Sequence, residues 1–547
     1  MPKKNQDHWS LLNTFYWTGS HLEFTLDVSR MQLASDFVEI VADRLGTALD
    51  EMEALEKGAV ANPDEGRMVG HYWLRAPDLA PTEDIRDAIV AAQKAVKDFV
   101  GQVHFGSIRG QTGKPFRNVL VMGIGGSILG PQLLASALSG PQDKMHLFWM
   151  DNTDPDGFYR LYRRLHHELD RTLCLVMSKS GRTLETMTAM EETKSAMKRV
   201  GLDFAKQAVV VTLPGSELAQ RAEHEGWLAT FPIWEWVGGR MSLFSAVGLL
   251  PAGLMGMDVD ALVHGAARMD QATRSRTLRD NPAAMIAALW YHTVVENGLS
   301  QLVVEPYKDR LEPWSRYLQQ LIMESLGKAV DRQGKPVHSG FTVYGNKGST
   351  DQHSILQHLS EGPGGFFVEF LHVMRDLYGA TWGSGGAFDT ELEVRPDVSS
   401  GDCLLALLMG TREALSGKGR PNYSIWLERL DATTLGELVA LHERAVGLYA
   451  SMVDINAYNQ PGVEASKKSA GRFLEQQRRA LEVLVDQQPN RMTAIEVAKA
   501  VGKDGDVESI YLSLRHLAAN STRGVRRQAA ARPMDEVFWW DRGVRDK

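Results

Sequence analysis

We predict an α/β protein with two doubly wound parallel sheets, preceded by N-terminal helices and followed by a small, mainly helical C-terminal segment. A short apolar run, a turn rich in Gly, Ser, Asp or Pro, and a helical stretch recur four times between residues 118 and 226. A second block of this kind runs from 300 to 453. Repeated strand–loop–helix units predict a parallel sheet with helices on both faces. The chain of 547 residues is also too long for one ordinary core.

The order of these patterns divides the chain into four segments. Apolar residues at three- and four-residue spacing predict helices before the first block. Two α/β domains follow, and a QQPN break separates the last of them from the remainder. The predicted segments are an N-terminal helical region at 1–105, a first α/β domain at 106–290, a second α/β domain at 291–487 and a C-terminal segment at 488–547.

The C-terminal segment reads as two short helices joined by a Gly-Asp turn, a pattern similar to a small winged-helix module. Thr493 and Glu496 have the spacing of a capping box. After Thr522 the chain carries seven basic and four acidic residues. Two helices and this small basic excess are weak evidence for nucleic-acid binding. We therefore expect an appendage whose VFWW stretch (537–540) docks on the body of the protein.

The composition is that of a soluble globular protein and limits the possible classes. The 44% of hydrophobic and 23% of charged residues are typical of a globular protein. The formal net charge of −8 argues against a protein that binds nucleic acid over its whole surface. Cys174 and Cys403 lie far apart, as expected for buried thiols in a reduced compartment. The N-terminus has no apolar signal region, and no stretch reaches the roughly 18 apolar residues of a membrane span. We expect a cytoplasmic protein with no membrane partner.

The apolar run LCLVM stops at a loop, SKSGRT, that is rich in hydroxyl groups. Ser178, Ser180 and Thr183 offer hydroxyls, with Lys179 between the serines. The helix that follows offers free backbone N–H groups and the positive end of its dipole. A helix cap would explain one hydroxyl but not three. The loop therefore predicts an anion site, with an ordinary N-cap as the alternative.

A second loop, GIGGS at 123–127, also ends an apolar run. It matches G-x-G-x-x-G only in part, because Ile128 stands at the third glycine position. Asp151 follows the next apolar run and could serve as the ribose-binding acid, so a nicotinamide dehydrogenase stays open as an alternative. Gly126 and Ser127 make this a second hydroxyl-bearing loop, and two such loops suit one compact phosphate better than a pyrophosphate.

Six segments in order resemble the phosphoglucose isomerase family, whose members contain two sugar-isomerase domains. The resemblance covers about residues 110 to 470 and excludes the N-terminal helices and the last sixty residues. Two details depart from the family pattern: Leu326 stands where Asn is common, and GSTDQH replaces GTNGQH. The six segments are GIGGS (123–127), SKSGRTLET (178–186), GGRMSLFSAVGL (238–249), MESLGK (323–328), KGSTDQHSILQ (347–357) and NQPGVEASKK (459–468).

The resemblance implies a reaction and an assembly. The reaction is the reversible isomerisation of glucose 6-phosphate and fructose 6-phosphate, through ring opening and an enediolate, in glycolysis and gluconeogenesis. It needs no cofactor. We expect no metal either, because no His, Cys and Asp residues have ligand spacing. The family's catalytic histidine reaches the site from the neighbouring subunit, which implies a homodimer.

Glu324 is the predicted base for proton transfer between C1 and C2. Its helix should begin at Pro313 and stop at Gly327. Glu324 lies off the apolar face of that helix, with Gln320 one turn before it. The alternative for a lone glutamate is a solvated surface residue.

The remaining roles are carried over from the family. His353 is the ring-opening acid/base, and we expect it in the first turn of a helix capped by residues 349–351. Lys467 matches the second ring-opening group, with Lys468 as a one-residue alternative, and Gln460 lies on the phosphate side. Arg240 should face the enediolate oxygen, because an arginine stays charged at working pH.

The substrate is then a hexose 6-phosphate, held by residues of both loops and of the catalytic helix. A sensor of sugar phosphates on the same fold is a further alternative, but it could dispense with the catalytic groups. The predicted binding residues are Gly126, Ser127, Ser178, Lys179, Ser180, Thr183, Gln320 and Gln460.

Overall fold

The computed structural model describes residues 8–19, 21–33, 36–376, 393–502 and 505–541. The strands, in chain order, are β1 (Tyr16–Thr18), β2 (Phe24–Arg30), β3 (Asn118–Met122), β4 (His146–Met150), β5 (Thr172–Met177), β6 (Ala208–Thr212), β7 (Ala229–Pro232), β8 (Gln301–Tyr307), β9 (Lys328–Val330), β10 (Pro336–Ser339), β11 (Thr342–Tyr344), β12 (Phe366–Val373), β13 (Glu393–Arg395), β14 (Val398–Ser399), β15 (Asn422–Leu427), β16 (Met492–Thr493), β17 (Val525–Gln528) and β18 (Val537–Trp540).

Helices follow most of these strands. The α-helices are α1 (His8–Phe15), α2 (Phe37–Glu56), α3 (Glu83–Phe105), α4 (Leu129–Leu138), α5 (Pro155–Leu165), α6 (Leu184–Arg199), α7 (Glu217–Glu225), α8 (Ala246–Met255), α9 (Val259–Ala272), α10 (Pro282–Trp290), α11 (Pro313–Leu318), α12 (Leu356–Glu361), α13 (Ser400–Gly417), α14 (Ala432–Met452), α15 (Pro461–Asp486), α16 (Ala494–Val501) and α17 (Val507–Ala519).

The first sheet has the order β4-β3-β5-β6-β7, and all of its pairs are parallel. Its strands are continuous apolar runs because both faces are covered. Val121 and Leu175 face one apolar core, whereas Leu120 and Cys174 face another on the opposite side. The predicted doubly wound sheet is confirmed.

The second sheet has the order β1-β2-β15-β12-β8-β11. Its strands β15, β12, β8 and β11 pair in parallel, as predicted. β2 then joins β15 antiparallel, with Leu26 opposite Ile425, and β1 pairs antiparallel with β2. A mixed sheet with a parallel centre and an antiparallel edge results.

The hairpin β1–β2 lies in the region that the sequence predicted as helical. Helices α1 to α3 do occur there, while residues 1–7 lie outside the described part of the chain. Phe24, Leu26 and Val28 recur with period two and are all buried, which is the pattern of a strand rather than a helix. The helical prediction is therefore wrong at β1 and β2.

Packing divides the chain into two compact units, residues 1–459 and 460–547. Both α/β sheets fall in the first unit, because one apolar core contains residues of each, such as Val121 and Val304. The second unit begins at 460 rather than at the predicted 488. Helix α15 belongs to it because Ala480 and Leu484 are buried against the apolar core of the C-terminal segment.

The second unit combines α15, α16 and α17 with a three-stranded antiparallel sheet of order β16-β18-β17. The predicted capping box is present, since the Thr493 hydroxyl accepts from the Glu496 N–H. The sequence missed the three short strands. Phe538 and Trp540 of the VFWW stretch fill this unit's own core, contrary to the expectation that they dock elsewhere.

Candidate active site

The loops that follow β3 and β5 meet at one edge of the first sheet. The two strands are parallel neighbours, so their carboxyl ends lie side by side. The ideal Cβ position of Gly123 is 3.5 Å from the Cβ of Met177. Thr212, which ends β6, donates its hydroxyl to the Ser178 carbonyl at 2.7 Å. This edge is where ligands bind in open parallel sheets.

The SKSGRT loop is folded by its own hydroxyls. Ser178 Oγ accepts from the Gly181 N–H at 3.1 Å and lies 3.0 Å from Thr183 Oγ1. Ser180 Oγ accepts from the Arg182 N–H at 3.3 Å. Thr183 is the N-cap of α6, but its side chain caps no backbone N–H. The Thr183 side chain therefore leaves the first turn of α6 without a side-chain cap, and the anion site at these N–H groups stays a prediction.

Lys179 points its ammonium at the protein rather than at the loop. Nζ donates to the carbonyls of Glu235 at 2.9 Å and Val237 at 2.8 Å. Burial lowers the pKa of Lys179 to about 8, and Arg67 adds to the lowering. The side chain holds the segment that leads to Gly238 and Gly239, so any direct role in phosphate binding falls to its backbone.

Gly126 packs directly against the backbone before Arg240. A Cβ on Gly126 would stand 2.2 Å from the carbonyl of Gly239 and 2.7 Å from the Arg240 nitrogen. Ser242 Oγ donates to the Gly239 carbonyl at 2.7 Å, which fixes the same turn. The glycine is required by this close approach of two main chains. Ser127 adds a hydroxyl to which no protein partner falls within the described residues.

Arg240 is buried and joins three segments of the first unit. Its Nε donates to Ser325 Oγ at 2.7 Å, and its Nη2 donates to the carbonyls of Ala457 and Asn459, the latter at 3.2 Å. Its Nη1 lies 3.6 Å from Glu324 Oε2. Burial lowers the pKa of Arg240, and Glu324 opposes that effect. A guanidinium retains its charge in such surroundings.

Glu324 closes a π-helical turn, Gln319–Glu324, that continues α11. The sequence predicted one uninterrupted helix to Gly327, and such π-turns concentrate at functional sites. Gln320 Nε2 donates to Glu324 Oε2 at 3.0 Å. The Glu324 side chain is 20% exposed, so it is open to a ligand while it faces Arg240. Gly125 approaches Gln320 Nε2, which joins the GIGGS loop to this group.

Two residues of this group were missed by the sequence prediction, although the quoted MESLGK motif contains both. Ser325 is the acceptor for Arg240 Nε. Lys328 is 7% exposed and donates to two main-chain carbonyls. Their place directly after Glu324 was the available signal.

His353 makes no hydrogen bond or ion pair with this group among the described residues. It ends a 3-10 turn, Thr350–His353, and α12 begins only at Leu356, so it is not in the first turn of a capped α-helix as expected. Asp351 in this turn is buried and accepts from the Asn346 N–H at 2.7 Å. His353 itself is exposed, and within the described residues it makes no hydrogen bond or ion pair.

Gln460 and Lys467 belong to the second unit. Gln460 is the N-cap of α15, and Lys467 is exposed two turns into that helix. The structure gives no position for them relative to Glu324, so their roles stay predictions. The same holds for the choice between Lys467 and Lys468.

The described residues also bear on the metal and dehydrogenase alternatives. No group of three or more His, Cys, Asp or Glu side chains there could hold a metal ion. Asp151, the candidate ribose acid of a dehydrogenase, accepts from Gln132 Nε2 at 2.9 Å. In the part of the chain that the structure describes, no helix is both long and apolar enough to cross a membrane.

The fold and these groups define a class of protein: an α/β protein with a hydroxyl-rich loop at the carboxyl edge of a parallel sheet and a carboxylate paired with a buried arginine. A family model described as phosphoglucose isomerase matches residues 27–379 and 396–490. The chain belongs to the phosphoglucose isomerase family.

Two curated relatives and two solved structures illustrate the likeness. A glucose-6-phosphate isomerase of Geobacter sp. (strain M21) is 50% identical, over 94% of this chain and 96% of its own. One from Thermosynechococcus vestitus is 48% identical, over 98% and 99%. A glucose-6-phosphate isomerase structure from Chlamydia trachomatis aligns with a TM-score of 0.75 at 24% identity, over 85% and 90% of the two chains. A hypothetical protein from Thermus thermophilus gives 0.67 at 26% identity, over 82% and 99%.

Proposed function

We propose that the protein interconverts glucose 6-phosphate and fructose 6-phosphate by proton transfer through an enediolate. The observation that carries the proposal is the group formed by Glu324, Gln320 and Arg240 at the edge where the SKSGRT loop lies. A carboxylate that is open to a ligand and faces a buried arginine suits proton abstraction next to a carbonyl. Relatives 47–50% identical over nearly their whole length carry the name of this activity.

Binding would begin at the phosphate. The free N–H groups at the start of α6 and the hydroxyls of Ser127, Ser180 and Thr183 are suited to the phosphate oxygens. The sugar would then extend toward Glu324. Gln460 would bind on the phosphate side of the sugar.

Chemistry would follow in two stages. His353 and Lys467 would open the sugar ring by moving a proton between the ring oxygen and the C1 hydroxyl. Glu324 would next take the proton from C2 of the open aldose and return it to C1, while the proton of the C2 hydroxyl passes to the C1 oxygen. Arg240 would stabilise the negative charge that develops on the enediolate oxygen. Its guanidinium is already held in place, so the site need not reorganise when that charge forms. No metal or nicotinamide takes part in this scheme.

We further propose a homodimer in which the partner subunit supplies His353 to each site. The exposed side chain of His353, which forms no hydrogen bond or ion pair with Glu324 among the described residues, supports this arrangement. The enzyme would act in the cytoplasm, in glycolysis and gluconeogenesis.

The experiment is turnover of fructose 6-phosphate by purified protein in the presence of a chelator and without nicotinamide. After removal of the protein by filtration, a separate dehydrogenase measures the glucose 6-phosphate formed. We expect turnover that survives chelation. A folded protein that binds hexose phosphate without converting it would instead support the sugar-phosphate sensor. Turnover that appears only when a nicotinamide cofactor is added would favour the dehydrogenase alternative.

A further inference from the structure

Lys328 closes the MESLGK motif and is buried at the start of β9. Its Nζ donates to the main-chain carbonyl of Glu324 at 2.8 Å. It also donates to the carbonyl of Asn459 at 2.9 Å. One ammonium group therefore links the turn that carries the proposed base to a segment 131 residues further along the chain.

That distant segment, residues 457–459, also holds Arg240. The Asn459 carbonyl accepts from both Lys328 Nζ and Arg240 Nη2, and Ala457 supplies a second acceptor to the same guanidinium. Lys328 thus fixes the Asn459 carbonyl, which also accepts from Arg240, and the backbone of Glu324, which Arg240 faces. Ser325 completes the frame from the MESLGK side.

Burying the charged ammonium of Lys328 costs desolvation free energy, which argues that the charge has a function. Burial lowers the pKa of Lys328 to about 8, and the nearby Arg240 lowers it further while Glu324 and Asp64 oppose the shift. Helix ends are commonly closed by a glycine or by solvent, at no such desolvation cost. Two buried cations beside one carboxylate instead create a field that favours negative charge close to Glu324.

We propose that Lys328 is a positioning residue for the enediolate step, which fixes the Asn459 carbonyl and the Glu324 backbone so that Arg240 and Glu324 keep their separation. Its ammonium also adds a second fixed positive charge to the site. The inference rests on the proposed isomerase function. Because the oxygen charge develops only after proton abstraction, loss of Lys328 lowers kcat far more than it raises KM.

The test compares three variants with the wild type. Lys328→Met removes the charge and both hydrogen bonds, and Lys328→Arg keeps the charge. Lys335→Met, at an exposed position in the same β9–β10 connection, is the matched control. We expect kcat to fall about 10- to 100-fold in Lys328→Met with KM within about threefold. Lys328→Arg should recover part of the loss, and Lys335→Met should match the wild type.

Inhibitor binding separates positioning from a merely structural role. A sugar-phosphate hydroxamate has the planar anionic head of the enediolate, whereas sorbitol 6-phosphate resembles the open-chain substrate. Lys328→Met should lose affinity for the hydroxamate by nearly the factor lost in kcat/KM, while sorbitol 6-phosphate binds unchanged. Equal losses for both ligands, or an unchanged kcat, would overturn the inference.

Two further outcomes are a Lys328→Met variant that does not fold and a wild type that is inactive. If Lys328→Met does not fold, Lys328→Gln, which keeps N–H donors without charge, takes its place and must lose at least about threefold in kcat. An unchanged kcat in that folded variant also overturns the inference. If the wild type itself lacks isomerase activity, the proposed function fails, which is distinct from an active wild type whose Lys328 variants are normal.

Discussion

At the scale of single residues, the site depends on polar side chains that are paired with main-chain carbonyls. Arg240 donates to two carbonyls, and Lys328 and Lys179 each donate to two. These bonds orient the cations without neutralising them, since a carbonyl carries no net charge. Glu324 is a carboxylate ion-pair partner of Arg240, with its Oε2 3.6 Å from Nη1. A carboxylate placed against a cation that stays charged suits a base that must gain and lose a proton.

Glu324→Gln tests the role of this carboxylate. The amide has almost the same shape but cannot take a proton, so we expect kcat to fall at least about a hundredfold with the fold intact. Steady-state turnover of fructose 6-phosphate measures the loss, and far-ultraviolet circular dichroism checks the fold. Glu192→Gln, on an exposed position of α6, is the control and should be fully active. Near-normal turnover in folded Glu324→Gln would refute the assignment.

At the scale of elements, short turns position the groups that the helices and strands bring near. Gly126 allows the GIGGS loop to touch the turn before Arg240, and Gly239 supplies the backbone it touches. The 3-10 turn at Thr350–His353 is fixed from beneath by Asp351 and by Gln352, which donates to the Tyr307 hydroxyl at 3.0 Å. Both turns can be disturbed without removing a reactive group.

Gly126→Ala should lower kcat/KM by about a hundredfold, because its Cβ would displace the Gly239 carbonyl and the arginine that follows. Gly238→Ala is the matched control. Its Cβ would meet nothing within 4 Å, so we expect nearly wild-type kinetics. Equal activity of the two variants would show that the close approach of the loops is not needed.

The turn that carries His353 predicts a pH dependence of stability. Burial raises the pKa of Glu305 to about 8, and the neighbouring Asp351 adds to the rise. In the unfolded chain a glutamate has a pKa of about 4.3, so between about pH 4.3 and pH 8 only the folded protein keeps this proton. The free energy of unfolding should therefore fall through this range, by roughly 3–5 kcal/mol relative to Glu305→Gln, and level off above it.

Urea unfolding of the wild type and Glu305→Gln at pH 5, 7 and 9 measures this difference. We expect the variant to gain on the wild type as the pH rises, since a glutamine cannot ionise. Parallel pH profiles would mean that Glu305 is ionised in the folded protein.

At the scale of the whole molecule, the proposed site needs more than one subunit. Two inactive chains then complement each other: if one carries Glu324→Gln and the other His353→Ala, one of the two sites in a mixed dimer has both native residues. Co-expression with two different tags and double purification isolates the mixed dimer. We expect it to regain about half of the wild-type activity. An inactive mixed dimer would show that both residues act within one chain.

Much of the architecture could be predicted because parallel strands buried on both faces are continuous apolar runs, such as LCLVM before Ser178. Strand β2 carries a period-two signal in Phe24, Leu26 and Val28 that the prediction of a helical region passed over. The four-residue strand β18 escaped because its pairing with a segment about 45 residues earlier decides it, and local spacing does so only weakly. In the site, the loop hydroxyls and the paired Gln320 and Glu324 followed from spacing. The two carbonyl partners of Lys179 could not, because they lie 56 and 58 residues away in sequence. The same holds for the Asn459 carbonyl that Lys328 reaches, 131 residues away.

The central claim is that Glu324 moves a proton between C2 and C1, and isomerisation in D2O tests it most directly. Proton NMR of the sugar phosphates should show solvent deuterium entering C2 of glucose 6-phosphate and C1 of fructose 6-phosphate with the wild type. Glu324→Gln should lose this exchange together with turnover. Undiminished turnover and exchange in folded Glu324→Gln would contradict the account.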